Sequence, residues 1–379
     1  MTSLIQNAKA YFQFVKATVP EVWAKSRNSY HEHEALEMAR ASLGMRLSRN
    51  SGRLNFIMAV PVLNWEKSLV EHAAAHGTCH HLAFESRGFF QSVFEWHKFR
   101  ATNYAKLKAF FDVNYSEGDV NILFLYLSEF HIDPDCLHAF KLKNVIIVNF
   151  NWDDRLHYTS RHKGQSVGVK EVAKVADFNL TMAVGPMNRY VADGAAVFYW
   201  RGIIDYPLPE PVLPQIEVNR ILFFGSRYGY RTELIGYLTR KGLPIDVFGS
   251  GWGTEFISYE SLANKIPRYA LNLGVSTIGY TRNLSCVKGR DIEVPLSAGL
   301  YLTNQSLEIE HVYIPGKEIL TYTSMDDCYR KACEVLANPL AFSDIRRMGA
   351  VKAQSFSWEA RFDYLITLIK SLTPIRASS

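Results

Sequence analysis

Twice along this chain, short apolar runs alternate with stretches of helical period, and a proline-rich segment separates the two series. In the first, Leu54 to Leu63 reads as a strand, Glu66 to His76 as a helix stopped by Gly77, and His80 to Phe84 as a strand. Tyr104 to Val113 follows as a helix, Asn121 to Leu127 as a strand, Asp133-Pro134 as the cap of a helix through Phe140, and Asn144 to Asn149 as a strand. In the second, Arg220 to Phe224 is a strand, Arg231 to Lys241 a helix and Pro244 to Phe248 a strand. Apolar strands alternating with helices demand a parallel sheet wrapped on both faces. Prolines 207, 209, 211 and 214 make a stiff, extended linker between the series. The expected plan is a helical extension over residues 1–50, an α/β domain over 51–210, a second over 216–356, and a closing helix over 357–379 that is free to cross back to the first.

A chain of 379 residues, 48% of them hydrophobic, can bury two large cores and is not a disordered protein. Its formal charge of +5 suits a phosphorylated ligand but does not demand nucleic acid. The five cysteines show no CxxC spacing, which argues for a reducing compartment and against a disulfide framework or a structural zinc. No run approaches the ~18 apolar residues of a membrane span, and the start lacks a signal-peptide pattern, so a cytoplasmic protein is expected. Leu4, Ala8, Phe12 and Val15 share a helix face that Pro20 interrupts, and a second helix is expected over Glu32 to Leu47. Basic residues outnumber acids there. Docking on an anionic membrane or on a partner is one reading, and an extension packed on its own domain is the favoured one.

Charged chemistry concentrates in Val287 to Glu318. Lys288, Arg290, Asp291 and Glu293 crowd a segment in which Pro295 is expected in the first turn of a helix, with Gly299 ending it. The dipole alone explains one acid at a helix start, but not the bases beside it. Carboxylates accept ribose hydroxyls and Lys or Arg neutralises a diphosphate, so the mixture fits a nucleotide. Gly225, Ser226 and Arg227, in the Gly225–Gly229 loop after the second series' first strand, and Arg231 beyond it form a candidate phosphate loop. Gly249 to Gly253 looks like a dinucleotide fingerprint but follows the wrong strand, so NAD is not expected. Asp153 and Asp154, ending the first series' last strand, are candidate bases. Asp133-Pro134-Asp135 has the form of a metal-holding DxD, yet N-capping explains it. His31 to Glu34 lacks metal-ligand spacing on one helix face, and His80, His81 and His131 are read as structural.

Residues 286–360 resemble the C-terminal part of the spore-maturation CgeB-like glycosyltransferases. The likeness rests on Lys288-Gly289-Arg290-Asp291-Ile292-Glu293-Val294-Pro295, Leu302-Thr303-Asn304, Pro315-Gly316-Lys317-Glu318, and Trp358 with Arg361. It continues more weakly through Trp65-Glu66-Lys67, Ile132 to Phe140 and Trp152-Asp153-Asp154, and omits residues 1–50. The resemblance implies a GT-B architecture, two Rossmann-like domains facing across a cleft, and no cofactor beyond a nucleotide-diphosphate sugar as donor. It implies that Glu293 binds ribose and that Lys288, Arg290 and Arg227 bind diphosphate; the acceptor stays open among a glycan, a lipid-linked glycan and a protein. Related retaining enzymes carry a second glutamate upstream. Ser285 stands eight before Glu293 here, which leaves stereochemistry open. The rival readings are a non-catalytic glycan- or nucleotide-binding module and a glycosyltransferase acting on nucleic acid.

Overall fold

The computed structural model describes residues 8–13, 15–16, 18–21, 30–44, 53–62, 66–85, 96–152, 154–162, 164–201, 215–254, 257–279, 281–282 and 284–372. The linker prolines lie outside the described residues. These divide into two units, one within 17–202 and 358–379, the other within 1–16 and 203–357.

The first unit is built on β1 (Leu54–Val62), β2 (Thr78–Glu85), β3 (Val120–Leu125), β4 (Val145–Asn151), β5 (Phe178–Thr181) and β6 (Val197–Tyr199). They lie in the order β2-β1-β3-β4-β5-β6 with every neighbouring pair parallel. β3 and β4 are buried along their whole length, which is why they read as continuous apolar runs rather than alternating ones. Its helices are α1 (Glu32–Leu43), α2 (Glu66–His76), α3 (Trp96–Asn114), the single turn α4 (Asp154–His157), α5 (Lys170–Val175) and α6 (Met187–Ala192). α3 starts at Trp96 rather than Tyr104; Phe99 is 43% exposed, and Leu107 and Phe111 are its buried apolar residues among those described. Asp133 accepts from the Asp135 N–H at 3.2 Å and so caps the 3₁₀ helix Pro134–Leu142.

The second unit holds β7 (Val218–Phe224), β8 (Ile245–Phe248), β9 (Tyr269–Leu273), β10 (Tyr301–Asn304) and β11 (Leu320–Tyr322), again all parallel, in the order β8-β7-β9-β10-β11. Its helices are α7 (Tyr230–Arg240), α8 (Tyr259–Lys265), α9 (Gly289–Leu296), α10 (Leu307–Val312), α11 (Met325–Ala337) and α12 (Ser343–Gln354). Ile221, Phe223, Leu234, Leu238, Leu271, Leu302 and Val335 fill its core. In both sheets the first strand lies between the second and the third, so each has a point where the order of connection reverses.

Two expectations are corrected here. Pro295 sits in the last turn of α9, not the first, and the helix begins six residues earlier, at Gly289. Proline lacks the N–H that would reach back to Asp291, a loss that a short helix tolerates at its end. The left-handed residue that closes α9 is Ala298 (φ 53°), with the Gly299 N–H on Val294 O at 2.9 Å. Near the N-terminus, Phe12 is 69% exposed rather than facing a core, and Pro20 lies within a helical turn over 18–21. α1 ends at Leu43 and buries Ala35, Ala39 and Leu43, while Ser42 donates to Asp177 at 2.5 Å.

The last helix, α13 (Trp358–Leu372), belongs to the first unit. Trp358 is fully buried and packs on Trp200 with ring centres 5.2 Å apart. Phe362 meets Phe56 edge-on at 6.0 Å, and the Trp200 indole N–H donates to Arg361 O at 2.7 Å. α13 is thus an integral part of the first domain's aromatic core.

Candidate functional site

The carboxyl edge of the second sheet gathers most of the residues singled out in the sequence. Between β7 and β9 the connections leave in opposite directions, which opens a crevice at the strand ends. Arg290, near the start of α9, lies across that point. Its Nη1 donates to Phe224 O at the end of β7, and its Nη2 donates to Val275 O just past β9 at 3.0 Å. Its guanidinium also lies 5.2 Å from the Phe223 ring centre. Arg231, in the first turn of α7, donates to Ser226 O at 3.1 Å and sits over the Tyr228 ring at 4.3 Å.

Both guanidiniums are buried, Arg231 to 6% exposure and Arg290 to 7%. Among the described residues neither makes an ion pair, and the Nε of each is a buried donor without an acceptor. Burying a cation costs several kcal/mol unless opposite charge or good hydrogen bonds compensate it. Strand-end carbonyls offset part of that cost. Burial, and then the neighbouring Arg290 charge, hold the Arg231 guanidinium down at about 10. Two like charges held together out of water, on a concave strand edge, constitute a demand for an anion.

The nearest acid does not meet that demand. Asp291 is fully buried, and its Oδ1 accepts from the Tyr301 hydroxyl at 2.6 Å and from the Thr303 hydroxyl at 3.4 Å. Its Oδ2 accepts the Lys288 N–H, as the acid half of a capping box; lysine has no acceptor for the other half. Asp291 therefore supports the helix start from a fully buried place, its oxygens turned to Tyr301, Thr303 and the Lys288 N–H rather than to solvent. Lys288, at the N-cap, is half-buried. Glu293 is 7% exposed, and its carboxylate folds back over the first turn of its own helix. A Cβ on Gly289 would lie 2.5 Å from Glu293 Oε1, so the bare glycine leaves the acid its place.

The phosphate loop adopts a conformation that only glycine permits at its first residue. Gly225 has φ 138°, and a Cβ there would run into Arg290 Nη1 at 2.0 Å. Ser226 and Arg227 are exposed. The second glycine cluster, set aside in the sequence, turns out to be this loop's partner. The Gly225 N–H donates to Phe248 O at 2.8 Å, the Arg227 N–H to Ser250 O at 2.9 Å, and the Trp252 indole to Gly225 O at 2.8 Å. The missed signal was a repeated pattern. Gly225-Ser226-Arg227-Tyr228-Gly229 and Gly249-Ser250-Gly251-Trp252-Gly253 share glycine, serine and aromatic positions at the ends of adjacent strands.

Of the two expected bases in the first domain, one lies among the described residues. Asp153 lies outside the described residues. Asp154 is fully buried, and its Oδ2 accepts from the Tyr190 hydroxyl at 2.9 Å. A general base must come within hydrogen-bond reach of the proton it takes. Asp154 is enclosed, with one of its two oxygens held by the Tyr190 hydroxyl. His131 accepts the Ser128 N–H at 2.9 Å, and burial holds its imidazole down at about 4, so it closes a turn as the neutral ring.

Residues 231–367 match the sequence family described as glycosyl transferase-like, a span from the first turn of α7 into α13. No curated protein matches the sequence. Among solved structures, the N-terminal domain of Candida albicans trehalose-6-phosphate phosphatase aligns with a TM-score of 0.57 at 10% identity, over 86% of this chain and 98% of that one. Sucrose-phosphate synthase from Thermosynechococcus elongatus gives 0.54 at 11% identity, over 84% and 99%. MnaA of S. aureus, in a structure with UDP, gives 0.53 at 10% identity, over 86% and 98%. At such identities the likeness is one of fold: two Rossmann-like domains of the GT-B class. With the family match, which takes in Arg231 and Lys288 to Glu293, it supports glycosyl transfer in general.

Proposed function

We propose that this chain is a glycosyltransferase that takes a sugar from a nucleotide-diphosphate donor and passes it to a glycan, a lipid-linked glycan or a protein. The observation that carries the reading is the pair of buried guanidiniums, Arg231 and Arg290, at the switch point of the second sheet, neither in an ion pair among the described residues. When the bond between the anomeric carbon and the diphosphate breaks, negative charge grows on the departing phosphate oxygens. Preorganised cations and backbone N–H groups at that position stabilise this charge without reorganising. In this reading Arg231, Arg290, Arg227, Lys288 and the amides of the Gly225–Gly229 loop hold the diphosphate, and Glu293 accepts the ribose hydroxyls. UDP in the structure of S. aureus MnaA, a fold relative, supports a uridine nucleotide as the first probe.

Guanidiniums rather than a carboxylate-held cation carry the diphosphate charge in this proposal, so transfer proceeds without a metal. The CgeB-like group and a cytoplasmic site of action complete it, the latter in keeping with five cysteines of which none is in a disulfide. No described helix is long and apolar enough to cross a membrane.

The test is to incubate the full chain with UDP-, GDP-, ADP- and dTDP-sugars, with and without EDTA, and to follow nucleoside diphosphate release. Release from one donor class, unchanged by EDTA, is expected. Saturable nucleotide binding without turnover on any donor would favour the non-catalytic binding module. Ser285 motivates that second reading: its hydroxyl, 3.1 Å from the donating amide of Asn304, stands where related retaining enzymes carry an acid.

A further inference from the structure

We propose that Trp252, on the second glycine loop, is a positioning residue that holds Arg227 ready for the donor diphosphate; this rests on the donor-site reading above. Arg227 is the one basic member of the loop that is exposed, and a free arginine chain loses several rotatable bonds' worth of freedom when a ligand fixes it. Here it is already restrained. Its guanidinium lies over the Trp252 ring, 5.4 Å from the ring centre, and its backbone N–H is fixed on Ser250 O.

Trp252 in turn has little freedom. Its indole N–H donates to Gly225 O, and its ring meets Phe223 of the sheet edge-on at 5.9 Å. The two loops can approach this closely because Gly249 (φ 125°) has no side chain: a Cβ there would stand 2.7 Å from Gly225 O. One tryptophan therefore ties three things together: the core strand, the carbonyl of the phosphate loop's first glycine, and the loop's exposed cation. Preorganisation of this kind raises affinity by reducing what binding must freeze. It also gives the second glycine cluster a role that needs no dinucleotide.

The probe is UDP, titrated calorimetrically into the full chain, with uridine as the control that lacks phosphate. Arg227→Ala is expected to weaken UDP roughly tenfold, the loss of one charge-assisted contact. Trp252→Leu is expected to weaken it roughly three- to tenfold through loss of the aromatic face, and Trp252→Phe, which keeps that face, by less than threefold. The double variant Arg227→Ala/Trp252→Leu should bind no worse than Arg227→Ala alone, and neither change should move uridine. If Arg227→Ala binds UDP like the wild type, the phosphate has been placed wrongly and the donor-site reading fails. If Arg227→Ala weakens binding but the Trp252→Leu loss multiplies with it, or Trp252→Phe loses as much as Trp252→Leu, positioning is refuted while the donor site stands.

Discussion

Replacing Gly289 by alanine sets stability against binding. Gly289 is the first residue of α9, and its backbone is not in the left-handed region. A methyl group there is conformationally welcome, worth up to about 1 kcal/mol relative to glycine within a helix. It collides with one thing nearby, the Glu293 carboxylate oxygen at 2.5 Å. That oxygen ends a flexible chain, so the protein yields by moving it about 1 Å to ordinary contact distance. The helix start keeps the gain of the methyl group, but the acid leaves the place where ribose hydroxyls would meet it. A hydrogen bond to a charged group is worth about 1.5–3 kcal/mol, so UDP should bind about 10- to 100-fold more weakly. The assay pairs calorimetric titration of UDP with urea unfolding of the same protein. Unchanged or slightly raised stability with weakened binding is expected. Wild-type UDP affinity in Gly289→Ala, alongside weakened binding in Glu293→Gln, would refute the steric argument; unchanged binding in both would remove Glu293 from the site.

Asp154→Asn keeps an acceptor for the Tyr190 hydroxyl, so donor turnover should stay within a few-fold of wild type; a loss of three orders of magnitude would restore Asp154 as the base. Trp358→Ala should destabilise the first domain by about 3–5 kcal/mol in urea unfolding, the usual cost of emptying a buried tryptophan site. His131 should make stability fall as pH drops from 6.5 towards 4: the unfolded imidazole takes up a proton in that window and the folded one, held at about 4, does not. The loss is up to about 3 kcal/mol, read from urea midpoints, and should be absent in His131→Asn.

What the sequence reveals and what it hides divide along physical lines. Continuous apolar strands such as Val145–Asn151 announce themselves, because nothing but burial on both faces explains them. The same holds for the bases around Glu293, which neither a dipole nor a solvated surface accounts for. The start of α3 is hidden because Phe99 to Lys106 shows no buried apolar residue that would set a helical period. Pro295 misleads because the rule against proline inside helices weakens in a last turn, where little helix remains to break. Side-chain direction is the hardest to read. Asp154 and Asp291 stand beside charged neighbours in the sequence, yet each carboxylate points inward to a tyrosine hydroxyl. Burial of a single side chain depends on contacts distant in the sequence, Tyr190 and Tyr301 here, that no local pattern encodes. The pairing of the two glycine loops is non-local too, although the repeated glycine–serine–aromatic pattern carries a trace of it.

The central claim is that a buried arginine pair, without an ion-pair partner among the described residues, receives a donor's diphosphate. Calorimetric titration of UDP, UMP and uridine into the wild-type chain at one salt concentration tests it without any substitution. Affinity falling at least tenfold from UDP to UMP, and again to uridine, is the predicted result. Equal affinity for all three, or binding of none while another nucleoside diphosphate also fails, would contradict it.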